Sequence, residues 1–196
     1  MQTRKERFTR THSGFFKQIQ KIVIALSTIT LLAGFTTAHG DAHAKKAKVL
    51  TDANIAAIVV GANKIDISAG QIALKRSKNP EVRKFAQRMI VDHRGVLNSA
   101  VELVTKLGVT PVDNELVATL AKQSREHEAK LKTLTGDAFD KRYIDHEVAY
   151  HEAVIGVIEK QLIPAAKNKE LKNTLVSVVP AFKAHLKHCQ MIQKKI

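Results

Sequence analysis

The stretch "QRMIVDHRGVLNSAVELV", residues 87–104, decides how this chain is read. With Phe85 just ahead of it, Met89, Val96, Ala100 and Val104 recur at three- and four-residue spacings, the period of one face of an α-helix. His93 falls on that same apolar face. A polar group hidden without a partner costs roughly 1–3 kcal/mol or more. An imidazole where a leucine would fit therefore demands partners from other helices.

Working outward, the chain is a succession of helical periods with punctuation, and nothing alternates with period two over a useful length. A first helix is expected over 52–75, with Ile55, Ile58, Val59, Ala62, Ile65, Ala69, Ile72 and Ala73 as its stripe. "SKNPEV" breaks it, with Asn79 suited to an N-cap and Pro80 to the first helical position. The second helix then runs to Leu107, and Gly108 suits a left-handed terminator. Pro111 and Asp113 introduce a lysine-rich stretch, 114–134, with a weaker stripe at Leu116, Leu120, Leu131 and Leu134. Gly136 ends it, Asp137 is the expected cap of a helix over 138–162, and Pro164 and Asn168 mark the turn into a last helix over 169–193. Four long amphipathic helices and an intermediate one predict an all-α bundle. At 1.5 Å per residue the intermediate stretch spans roughly 30 Å. That suffices to return along the second helix, which gives a four-helix bundle of ferritin-like connectivity plus one crossover helix.

His93 is not alone. Asp66 lies on the stripe of the first helix, Tyr143, Glu147 and His151 on that of 138–162, and His185 on that of the last helix. Counted from the turns, Asp66, His93, His151 and His185 fall within one or two helical turns of a common height, with Asp66 and His93 roughly 20 Å from the first turn. Met89, Asp92, Tyr143 and His188 border this level. Three imidazoles and two carboxylates suit a transition metal such as Zn, Cu or Fe. Without metal, Asp66 and Glu147 could orient the imidazoles in a closed hydrogen-bonded network that responds to pH. Ferroxidase chemistry is disfavoured, because a di-iron carboxylate site needs about four Glu and two Glu-x-x-His pairs, whereas these stripes offer Asp66, Glu147 and an i, i+4 Glu147–His151 pair. No glycine-rich phosphate loop is present, and Cys189 on an apolar face reads as core rather than nucleophile. No catalytic residue is assigned.

The runs "IDISAGQIALKRSKNPEVRKFAQRMIVDH" (65–93), "FDKRYIDHEVAYHE" (139–152) and "VPAFKAHL" (179–186) closely resemble the exported bacterial family called domain of unknown function 4142. The resemblance covers about residues 51–193 and implies a ferritin-like helical fold. It places the family's motif residues on Asp92, His93, Tyr143, His151 and His185, and it puts Asp66 where members commonly carry the longer Glu. The activity of that family is undefined, so the resemblance implies fold and compartment rather than chemistry.

Residues 1–21 hold six basic side chains against one acid, Glu6, and precede the apolar run "IVIALSTITLLAGF" and small-residue sites ending at Ala38 and Ala44. These are the regions of a secretory signal, and the run is short of the roughly 20 residues of a membrane span. The expected organisation is a signal peptide over 1–38 (cleaved as late as 44), a small, basic tail over 39–50 and one bundle domain over 51–196, in a periplasmic or secreted protein. No cysteine follows the apolar run to carry a lipid, and Cys189, the one cysteine, excludes an intramolecular disulfide. The net charge is +14, and removal of residues 1–38, with six basic groups and one acid, leaves +9. Such a charge attracts anionic envelope components, while export argues against nucleic acid. Binding of the protein to anionic lipid vesicles should accordingly weaken several-fold between low salt and 0.3 M NaCl in a sedimentation assay, and binding indifferent to salt would remove this expectation.

Overall fold

The computed structural model describes residues 49–196, so the expected leader and most of the basic tail lie outside the described residues. Leu50–Ile196 forms one compact unit, and among the described residues all regular structure is helical. The helices are α1 (Asp52–Arg76), α2 (Pro80–Lys106), α3 (Glu115–Lys132), α4 (Gly136–Val157), a π-helical turn (Ile158–Leu162), a short α5 (Ile163–Ala165) and α6 (Lys169–Gln193).

Local chemistry sets the ends. Thr51 and Asn54 cap α1 reciprocally, the Asn79 side chain accepts from the Glu81 and Val82 amides with Pro80 beside it, and Asn114 and Asn168 do the same for α3 and α6. Gly108, at φ +62°, closes α2: its N–H bonds Thr105 O, and Val109 N–H reaches back to Val104 O, the paired bonds of a Schellman cap. Two boundaries differ from the sequence reading. Asp137 is not a cap; α4 starts at Gly136, Thr135 takes the N-cap position without a side-chain bond, and Asp137 lies in the first turn, where its charge faces the helix's positive end. Nor does the helix run evenly to Leu162: Pro164 has no N–H to continue the ladder, and before it Ile163 N–H bonds Ile158 O, one residue beyond the α register.

Side-chain contacts fix the directions. Asn54 donates to Val112 O and Arg76 to Lys132 O and Leu134 O, so α3 runs parallel to α1 along its whole length. Lys106 pairs with Glu170 and Lys195 with Glu81, which sets α6 antiparallel to α2. The Asp52 carboxylate accepts from the Lys167 and Asn168 amides, holding the start of α6 beside the start of α1. Arg76 lies over the Phe139 ring and Tyr150 donates to Ala62 O, so α4 runs antiparallel to α1. The crossover therefore lies along α1, not along α2 as the sequence reading had it. Ile58, Gly61 and Ile65, along one edge of the broad α1 stripe, line a groove with Val117, Leu120 and Ala121 of α3, so the stripe is wide enough to meet the crossover as well.

The main apolar cluster gathers Ala69, Ala73, Val82, Phe85, Met89, Leu131, Phe139, Tyr143, Ile144, Cys189 and Ile192 toward the α1/α2 turn, and polar side chains take over above it. The α1–α2 seam is tight at Gly70, where an added Cβ would lie 3.0 Å from Ile90 Cγ1 and 3.1 Å from Ala86 O. Gly95, exposed on α2, would meet nothing within 4 Å. Chemical denaturation should thus show opposite signs for two like substitutions: Gly70→Ala destabilises by about 1–3 kcal/mol through overpacking, whereas Gly95→Ala stabilises by up to about 1 kcal/mol through helix propensity.

Candidate metal centre

Four helices each deliver polar side chains to one level. From α1 come Asn63 and Asp66, from α2 Asp92 and His93, from α4 Tyr143, Glu147 and His151, and from α6 His185. Asp66, His93, Glu147, His151 and His185, the five residues singled out from the stripes, are all buried, none more than 3 % exposed. The three imidazoles form a near-equilateral triangle, with ring centroids 5.7 Å apart for His93–His151, 5.4 Å for His93–His185 and 5.5 Å for His151–His185. Phe182 covers them, its ring centroid 5.0 Å from that of His93, 6.0 Å from His185 and 6.2 Å from His151.

The tautomers follow from the partners. Asn63 Nδ2 donates to Val59 O, which turns Asn63 Oδ1 toward His93 Nδ1 at 2.8 Å; an oxygen there can only accept, so His93 Nδ1 carries the proton. His151 Nδ1 donates to the Glu147 carbonyl oxygen at 3.0 Å. His185 Nε2 donates to Asp92 Oδ2 at 2.8 Å. Each ring thus spends one nitrogen on an orienting oxygen and keeps a lone pair on the other. Those others, His93 Nε2, His151 Nε2 and His185 Nδ1, are buried without a hydrogen-bond partner. One nitrogen from each imidazole lies within 4.8 Å of one from each of the others.

A second convergence adjoins the first: Asp66, Glu147 and His151 offer atoms within 4.8 Å of one another. His151 Nδ1 lies 3.6 Å from Glu147 Oε2 and His93 Nδ1 lies 3.5 Å from Asp66 Oδ2, contacts too long for hydrogen bonds. The Glu147 carboxyl oxygens and the Tyr143 hydroxyl are buried beside one another, and the hydroxyl is the hydrogen-bond donor nearest to the carboxyl. Burial pushes Glu147 up to about 8 against the smaller, opposing effect of the Tyr143 hydroxyl, and burial together with the neighbouring Glu147 raises Asp66. Burial drives His93 down to about 2, with His151 and His185 adding to the shift, and drives His151 to about 4, with His185 adding to it and the bond to the Glu147 carbonyl opposing it. His185 is also lowered by burial, against the pull of Asp92. At neutral pH the imidazoles are uncharged, with lone pairs available.

The bordering residues sort differently. Asp92 orients His185, and Met89 packs in the apolar cluster with Phe85 and Tyr143. His188 stays half-buried and packs its ring edge-on against Phe85. Sequence reasoning missed Asn63, although its position four after Val59 and three before Asp66 puts it on the same helical stripe. It also missed a second histidine contact, the stack of His127 on His146 with ring centroids 3.5 Å apart, between α3 and α4; that pair needed the placement of the crossover.

A model of the family described as Domain of unknown function (DUF4142) matches residues 36–192. No curated protein matches the chain. Among solved structures, the chain is similar to a DUF305 fragment from Deinococcus radiodurans, with a TM-score of 0.63 at 12 % identity over 76 % of this chain and 100 % of that one. It is also similar to CopM in the Cu(II)-bound form, with a TM-score of 0.58 at 16 % identity over 74 % of this chain and 98 % of that one. These likenesses establish a shared helical fold.

The raised carboxyl has a measurable sign. A folded-state value of about 8 for Glu147 against an ordinary 4.5 means that the folded protein holds a proton the unfolded chain has released. Stability from this source is complete below pH 4.5 and is lost as pH rises toward 8. In urea unfolding with a chelator present, wild-type protein should therefore lose a few kcal/mol relative to Glu147→Gln between pH 5 and 8. Equal slopes in the two proteins would show that Glu147 is ionised in the fold.

Proposed function

We propose that this chain, which belongs to the DUF4142 family, binds a transition-metal ion in the compartment formed by Asp66, His93, Glu147, His151 and His185. The observation that carries the reading is the set of three neutral imidazoles, from α2, α4 and α6, each oriented through one nitrogen with its other nitrogen buried and unpartnered. This is the arrangement of metal-ligating histidines, whose remote N–H is held by a carboxylate, carbonyl or amide oxygen. Tetrahedral coordination at 2.0–2.1 Å separates ligand nitrogens by about 3.3 Å, so a triad within 4.8 Å closes on an ion by ring rotations of about an ångström. Asp66 and Glu147 supply an adjoining negative charge once their protons leave. The directions of α1, α2, α4 and α6, with α3 as the long return, fit ferritin-like connectivity. The likeness to a fold solved with Cu(II) bound makes copper the first ion to try, ahead of zinc and iron. An exported location, and attraction of the basic surface to anionic envelope components, belong to the same proposal.

A second reading is an envelope stress or interaction protein, without catalytic activity, whose histidines form a structural, pH-responsive network. It is favoured by the orienting bonds of Asn63 and Asp92, which fix the rings before any ion arrives. Titration of chelator-treated protein with Cu(II) and Zn(II), followed by equilibrium dialysis and elemental analysis, separates the two. Wild type should retain one equivalent of at least one ion, and a His93→Ala/His151→Ala variant that keeps its helical circular dichroism should bind at least about 100-fold more weakly. Equal, negligible retention in both would remove metal binding and leave the network reading.

A further inference from the structure

The compartment is closed on nearly every side. Of the groups that bond to, approach or stack on the three imidazoles, Asn63, Asp66, Glu147, Tyr150 and Phe182 are all buried. Asp92 is the exception. Its side chain is 37 % exposed, yet its Oδ2 lies 2.8 Å from Nε2 of the wholly buried His185. The same Oδ2 also accepts from Arg88 Nε at 3.2 Å, and the Arg88 side chain is 42 % exposed. One carboxylate oxygen at the α2/α6 seam therefore joins a surface guanidinium to a buried imidazole.

From this geometry we infer that the α2/α6 seam is the route by which a cation reaches the imidazoles, with Asp92 as the outer carboxylate and Arg88 as a plug on it. The inference rests on the metal-binding reading above. A free cation approaching a chain of net charge +14 is repelled over most of its surface and is drawn to a local carboxylate. Asp92 is such a group, one hydrogen bond from the buried triad, whereas Phe182 covers the rings with an apolar face that offers no ligand on the way in. Arg88 holds a permanent charge on the oxygen the ion would use first, so the ion must displace it. The closed state keeps the lone pairs dry, and the open state lasts only as long as the exchange.

The test is the rate at which metal-free full-length protein takes up Cu(II) or Zn(II), followed by stopped-flow competition with a chromophoric chelator. Arg88→Gln removes the plug and should load about tenfold faster with its equilibrium affinity within about threefold of wild type. Asp92→Asn keeps an oxygen for His185 Nε2–H but loses the charge; it should load about tenfold more slowly, and adding Arg88→Gln to it should give no further gain. Loading of Arg88→Gln at the wild-type rate would overturn the route while leaving metal binding intact. So would an Asp92→Asn protein that releases the ion faster but takes it up normally, because Asp92 would then only position His185. A wild type that takes up no ion would remove metal binding itself, and the route with it.

Discussion

The cost of hiding ionisable groups from water governs this structure. Five such side chains sit at one level of the bundle, none more than 3 % exposed, and a buried charge without a partner costs several kcal/mol even after the protein relaxes. The chain meets that cost by neutrality. The imidazoles are held uncharged and the Glu147 carboxyl keeps its proton to about pH 8, so the compartment contains almost no net charge to desolvate. What remains is a set of lone pairs and acidic protons with few hydrogen bonds between them. That is an unusual interior, since buried polar atoms are ordinarily satisfied. It is also the interior a divalent cation would stabilise, by accepting the lone pairs and displacing the protons.

The helical frame makes such a compartment tenable. His93, His151 and His185 stand on three different rigid rods, and their ring orientations are set by Asn63, by the backbone carbonyl of Glu147 and by Asp92. Only the last of these partners reaches the surface. The Schellman cap at Gly108, the asparagine caps and the Asp52 bridge to the start of α6 lie at the ends of the rods, well away from this level, so the ends are fixed without intruding on it. The apolar cluster toward the α1/α2 turn supplies the burial that holds the polar layer in place. Family membership and the two structural likenesses fix the fold; they assign no chemistry, and the functional reading rests on the side chains of this chain.

Local information settled most of the architecture. The 3.6-residue period around His93, the Asn79–Pro80 start, the Gly108 stop and the Asn168 cap mark helices whose chemistry depends on neighbours only a few residues away. Counting residues from the turns also placed Asp66, His93, His151 and His185 at one height, because a helix rises by a constant amount per residue and short turns put successive ends side by side. Tertiary structure decided which faces meet. The crossover lies on α1, whose broad stripe meets α3 along the edge of Ile58, Gly61 and Ile65; periodicity gives the width of a stripe but not which helix covers each edge of it. The tautomers, the Phe182 cover, the part played by Asn63 and the stacking of His127 on His146 are likewise relations between rods, which periodicity along one rod does not encode. The π-helical turn before Pro164 stands between the two cases: proline removes a donor, which the sequence shows, but the shift of the Ile163 N–H to Ile158 O is seen only in the fold.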